Sequence, residues 1–171
     1  RKMLKTMEMY CDENELTLNT NKTQCMVFNK TGRLLKTPFY YNNVKLENVS
    51  KFKYLGFLLT PSGETKSGLK DLKDRALKAF FKLKNDMGDS FRDQIKITLK
   101  LFDSLIKPIL MYMSGFWGGL KPPNEKDNPI EKLHMMACKH ILGVQKQTTN
   151  IGVLLELGRV PMQIFAVKAA I

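Results

Sequence analysis

The seven lysines and arginines from Lys66 to Lys84, set against only Asp71 and Asp74, are the densest patch of usable chemistry in this sequence. At helical spacing Lys66, Lys70, Lys73 and Lys84 border one side of an apolar stripe, while Arg75, Lys78 and Lys82 lie opposite it. Lys96, Lys100 and Lys107 share a face of the helix expected next. Rows of cations on helix faces can follow a phosphate backbone and bind it without reading base sequence. The alternative is a solvated face, relieved by acids such as Asp103, four residues before Lys107. The balance over 171 residues, 28 Lys and Arg against 16 Asp and Glu, gives a formal net charge of +12. A field of that sign favours polyanions, nucleic acid first and an anionic membrane surface second.

Other constellations are weaker. Phe52-Lys53-Tyr54-Leu55-Gly56 sets aromatics beside lysines in an expected strand, with Gly56 permitting close backbone approach; it reads as a base-stacking element or as a core strand. His134, Cys138 and His140 lie on one expected helix. Zinc takes about four ligands, and Cys11 and Cys25 lack the paired spacing that would complete a set, so these residues read as core. A thiolate at Cys138 has no evident orienting group. Asp12, Glu13 and Glu15 form one hydrophilic run, whereas two-metal chemistry draws carboxylates from separate elements. We therefore expect no metal ligands in this chain. No P-loop, Gly-rich dinucleotide turn or serine elbow occurs.

The elements that must position these residues fall into two halves. Met3, Leu4, Met7, Tyr10 and Cys11 recur at helical spacing, predicting a helix to about Asp12. A strand over Gln24–Phe28 ends in Asn29-Lys30-Thr31-Gly32, a hairpin turns at Asn42-Asn43, and Lys51–Leu59 reads as the best single strand, stopped by Pro61-Ser62-Gly63. Beyond Gly63 the pattern is helical. Leu69, Leu72, Ala76, Ala79, Phe80, Leu83 and Met87 form the stripe, Gly88 closes that helix, and Ser90 is the expected cap of the next. That helix carries a broad apolar face from Phe91 to Met113, and Pro108 should bend it. A loop at Gly118-Gly119 and Pro122-Pro123 leads to a helix from Asn128-Pro129 to Gly143, and two shorter helices follow, around Ile151–Leu157 and from Pro161 onward. The fold class expected is α+β. Three widely spaced cysteines suggest a reducing intracellular setting, cytoplasm or nucleus, and no run approaches the roughly 18 apolar residues a bilayer span needs. Arg1 and an Ile171 inside an apolar run suggest a piece of a longer chain.

Taken in order, these segments resemble the carboxyl-terminal half of a non-LTR (LINE-type) retrotransposon reverse transcriptase. Tyr10-Cys11 through Asn19, Lys22-Thr23 and Met26-Val27-Phe28 resemble its last palm helix and strand. Phe52–Gly56 resembles the primer-grip strand. Leu101-Phe102 through Lys107–Tyr112 and Phe116-Trp117-Gly118 are similar to the thumb helix and its exit. His134, Cys138-Lys139, Ile141–Val144 and Glu156–Pro161 resemble the stretch after the thumb. The sequence departs from the family in two places. No Tyr-x-Asp-Asp occurs, and Met113-Ser114-Gly115-Phe116 stands where the family has Gly-Ser-Glu after the thumb tyrosine.

The resemblance implies a remnant of the palm, with one N-terminal helix and a small antiparallel sheet, over residues 1–62. A helical thumb over 63–120 and a post-thumb helical extension over 121–171 would follow. It implies Lys22 as the lysine that protonates departing pyrophosphate, with Asn19 and Thr23 shaping its turn. Tyr54, Leu55 and Gly56 would position the primer end, with Lys53 near phosphate. The helices from Leu69 to Tyr112 would clamp an RNA–DNA or DNA duplex on an RNA template. The fragment would need no cofactor of its own, would not polymerise alone, and would work with the palm and fingers of a full-length enzyme that uses Mg2+; no membrane partner is implied. Two readings from other classes are a stand-alone, non-enzymatic nucleic-acid-binding module and a helical relic whose apolar stripes dock a protein partner.

Overall fold

In the computed structural model, residues 2–35, 37–119 and 127–171 are described. The chain forms two compact units, Arg1–Glu64 and Thr65–Ile171. The class is α+β, as the sequence predicts. Among the described residues no helix is long and apolar enough to cross a membrane.

The first unit opens with α1 (Lys2–Glu13), whose inner face packs on a hairpin of β2 (Tyr40–Tyr41) and β3 (Val44–Lys45). Asn42 and Asn43 both hold positive φ, 44° and 63°, which a two-residue hairpin turn requires and which asparagine tolerates. The Glu8 carboxylate accepts the Asn42 N–H at 2.8 Å. Tyr41 is buried beside Cys11; a hydrogen bond to that side chain, with burial and the nearby carboxylates, pushes its hydroxyl up to about 12. Met3, Met9 and Tyr10 stay exposed.

Among the described residues the expected small antiparallel sheet is three separate two-stranded ladders, and one is parallel. β1 (Gln24–Cys25) runs parallel to β4 (Glu47–Asn48), and the Gln24 amide donates to Glu47 at 2.7 Å. The long strand expected over Lys51–Leu59 is not one strand. It folds back as a hairpin of β5 (Phe52–Tyr54) and β6 (Phe57–Leu59), pairing Phe52 with Leu59 and Tyr54 with Phe57 around Leu55 and Gly56. Folding back lets the two halves satisfy each other's N–H and C=O groups, where one extended strand would need a partner of equal length.

In the second unit the lysine-rich segment forms α2 (Lys66–Met87), and Leu69, Leu72, Ala76, Phe80 and Leu83 are buried along one stripe. Those side chains are enclosed within the unit, so the stripe is not an open docking face. Gly88 ends the helix at φ 54°, its N–H on the Lys84 carbonyl. The helix expected from Phe91 to Met113 is broken into pieces: α3 (Ser90–Asp93), α4 (Ile95–Leu101), a π-helical stretch Phe102–Ile106, and α5 (Lys107–Leu110). Ser90 does not cap; it lies inside α3, after Asp89 in helical conformation. Pro108 acts upstream of itself. It cannot donate to the Ser104 carbonyl four residues back, and the turn widens before it, with the Lys107 N–H on the Phe102 carbonyl five residues back.

After α6 (Ser114–Trp117), the loop expected at Pro122-Pro123 lies outside the described residues. Asn128 caps α7 (Pro129–Leu142), its side chain accepting the Ile130 N–H at 3.0 Å, and Gly143 stops it at φ 69°. α8 (Asn150–Glu156) and α9 (Met162–Ala170) complete the unit. α2 packs on α7, and α6 crosses α9 so closely that a Cβ on Gly118 would stand 2.2 Å from the Ala166 carbonyl oxygen.

Candidate nucleic-acid interface

The helix α2 shows why its cations face outward. Its stripe of Leu, Ala and Phe takes the buried side, so at 100° per residue the lysines can only border it or lie behind it. Lys66, Lys70, Lys78 and Lys82 are exposed, as are Lys96 and Lys100 on α4; Lys73, Arg75 and Lys107 are half-buried. Two of these cations are engaged within the fold. Arg75 pairs with Asp71 at 3.0 Å, one turn back, and the Lys107 ammonium sits 3.5 Å over the Phe165 ring. The row Lys66, Lys70, Lys73 and the row Lys78, Lys82 each recur at intervals of three or four residues within the unbroken helix α2, a spacing suited to following a phosphate backbone.

In the first unit, Lys53 to Gly56 form the end of the β5–β6 hairpin. Tyr54 is 53% exposed and Leu55 67% exposed. Leu55 holds φ 46° and Gly56 φ 85°. The glycine adopts that region freely, but a leucine there costs about 1 kcal/mol. An apolar side chain held both strained and in water at a turn tip is a feature that local folding alone would avoid. Lys22 lies in another part of the same unit, exposed in a turn built by Asn19. The Asn19 side chain accepts the Lys22 N–H at 3.2 Å, and its carbonyl accepts the Thr23 hydroxyl at 2.8 Å.

The His134–Cys138 pair is core. Cys138 is buried among Met135 and Val153, and burial, ahead of the charges around it, pushes its thiol up to about 12, so it is no nucleophile near neutrality. Among the described residues no three His, Cys, Asp or Glu side chains converge to hold a metal. His134, fully buried, instead joins a chain of polar contacts that the sequence pattern did not reveal. Arg159 Nε donates to its Nε2 at 3.3 Å, and its Nδ1 meets Glu131 Oε1 at 3.2 Å. Since arginine can only donate, Nε2 is the acceptor and the ring proton sits on Nδ1, toward the carboxylate. The Arg159 fork also grips both Asp103 oxygens, one at 3.2 Å, and its guanidinium lies 5.2 Å from the Phe102 ring centre. Glu131 Oε2 accepts the Met162 N–H at 2.8 Å. The cluster ties the π-helical stretch, α7 and the start of α9 into one body. The one signal for it was Glu131 and His134 at i, i+3 on α7.

Comparison with known proteins adds one similarity. A Caenorhabditis elegans protein, named as uncharacterized and transposon-derived, is 31% identical over 148 residues, 84% of this chain and 50% of that protein. The chain spans half the length of this relative. No protein family profile matches the chain, and no solved structure matches it. The similarity is consistent with a transposable-element origin.

Proposed function

We propose that this chain is the duplex-gripping portion of a non-LTR retrotransposon reverse transcriptase. In this reading the first unit is the end of the palm and the second is the thumb with its extension. The observation that carries the proposal is the outward-facing cation rows of α2 beside an apolar stripe buried at Leu69, Leu72, Ala76, Phe80 and Leu83. The similarity to a transposon-derived protein supports the same class of origin. The exposed, strained tip at Tyr54-Leu55-Gly56 fits a part that touches a primer end, with Lys53 beside it for phosphate. Lys22 on its Asn19-built turn would serve as proton donor to pyrophosphate. The sequence holds no Tyr-x-Asp-Asp, so the chain alone does not incorporate nucleotides; Mg2+ and the rest of the polymerase supply that step.

The test is fluorescence anisotropy with a labelled RNA–DNA hybrid across a salt series. If Lys66, Lys70, Lys78, Lys82, Lys96 and Lys100 each neutralise a phosphate, log K falls against log salt with a slope of about −5. Affinity that ignores base sequence is expected. A flat salt response rejects duplex gripping, and metal-dependent extension of a primed RNA template by this chain alone rejects its dependence on the rest of an enzyme.

A further inference from the structure

The second unit holds a groove of about 500 Å³ against one side of α7 that none of the residues discussed above explains. Its charge is one-sided. Arg92, Lys132, Lys139 and Lys146 line it, and the acid among them, Glu131, has its oxygens on His134 and the Met162 N–H. Lys132 is partly engaged by Asp127 at 3.3 Å, and both are exposed. The Lys139 ammonium gives one hydrogen to the Lys146 carbonyl at 2.8 Å, which steadies it and leaves two donors for a ligand. Arg92 lies across Gly143, where a Cβ would stand 3.6 Å from its Cδ.

The lining between the cations is apolar. Met136 on α7 and Val144 from the rim supply it, over Met135, whose side chain is buried in the core beneath. Phosphate alone has no use for such a surface. The face of a nucleobase does, because methionine sulfur and methyl groups pack well on aromatic rings. A duplex hides its base faces inside the stack, so the groove suits a strand whose bases are free. The size is within the range of small-molecule sites and takes one nucleotide rather than a helix. The exposed rim at Val144 and Lys146 lets a chain enter and leave. A cationic setting is felt at His140, whose pKa lies below its ordinary value through burial and then the charges of Lys84 and Arg92.

We propose that this groove binds a single-stranded nucleic-acid segment, one base resting on Met136 and Val144 and the adjoining phosphates on Arg92, Lys139 and Lys146. The site is separate from the α2 cation rows and does not depend on the duplex reading above.

The experiment is anisotropy of the whole chain with a labelled oligothymidylate about twelve nucleotides long and, in parallel, with a blunt duplex. Replacing both lysines, Lys139→Gln with Lys146→Gln, is expected to weaken the single strand about ten-fold and lower its salt slope by about 1.4, with the duplex changed less than about two-fold. Met136→Ser is expected to weaken the single strand about five-fold with no change in salt slope, because it removes a base contact and no charge. In NMR titrations, saturating single strand should raise the His140 pKa, since phosphates offset the neighbouring cations. Equal losses for strand and duplex, an unmoved His140, or a free nucleoside monophosphate binding as tightly as the strand would each overturn the assignment.

Discussion

The two units place their exposed residues by different means. In Arg1–Glu64, ladders of two or three pairs leave little room for a core, and the residues offered to solvent are set by turns: Asn19 under Lys22, Asn42-Asn43, and Leu55-Gly56. In Thr65–Ile171, one 22-residue helix and its neighbours bury a continuous stripe, and the outward lysines are set by what the stripe excludes. Position in the first unit is therefore a matter of local backbone geometry, and in the second a consequence of packing. The comparison makes a direct claim about mutations: core changes should disturb the second unit's interface far more than the first's. Phe80→Ala is the largest test. Phe80 is fully buried and stacks edge-on against Phe91, with ring centres 5.7 Å apart, so about 4 kcal/mol should be lost in urea unfolding followed by Trp117 fluorescence. Amide exchange in the β5–β6 hairpin should be unaltered; a matching loss there would erase the distinction.

Next in size is Arg159→Ala, which probes whether polar contacts also hold the second unit together. It strips partners from buried His134 and from half-exposed Asp103, and a cost of about 2 kcal/mol is expected from the same unfolding curves. Arg159→Lys should recover little of it, because an ammonium cannot serve both Asp103 oxygens and the imidazole from one fork. Full recovery by lysine would reduce the cluster to a simple charge pair.

That cluster also marks the limit of what can be read before folding. The stripe of α2, its end at Gly88, and the α7 start and stop at Asn128-Pro129 and Gly143 were all legible, because each depends on neighbours within a few residues. Arg159 and Asp103 are 56 residues apart, and Gln24 meets Glu47 in a parallel pair that no hairpin pattern announces. Pro108 was visible as a disturbance, yet the helix yields at Phe102–Ile106, where the lost donor is absorbed by a wider turn. The hairpin at Leu55 escaped notice because a leucine at positive φ is a poor turn former, and the apolar run Phe57–Leu59 reads as a continuing strand. The cationic groove on α7 draws its residues from three separate segments, so no local spacing pointed to it.

The cation rows offer a finer test of the packing rule. Replacing Lys70→Gln and Lys78→Gln together should leave stability within about 0.5 kcal/mol, since both side chains are exposed, while duplex affinity falls about ten-fold and the salt slope drops by about 2. Arg75→Gln, already held by Asp71, should change the slope by less than either lysine. A larger effect from Arg75 would mean that its ion pair opens to reach phosphate.

The smallest effect tests the opposite rule, that turn geometry sets the first unit. Leu55→Asn removes an apolar side chain from water and supplies, with Gly56, the pair that a two-residue hairpin turn favours. Glycine at this position would relieve the same strain but loosen the unfolded chain by a comparable amount, so its net effect would be near zero. Asparagine carries less of that penalty, and a gain of about 0.5 kcal/mol is expected from hairpin amide exchange. If the strained leucine is there to touch a primer end, that gain should come with a two- to three-fold loss of affinity, about 0.5 kcal/mol, for a recessed primer–template but not for a blunt duplex. A more stable hairpin with unchanged affinity for both would make Leu55 a tolerated oddity of the turn, and the contact would pass to Tyr54, beside it on β5.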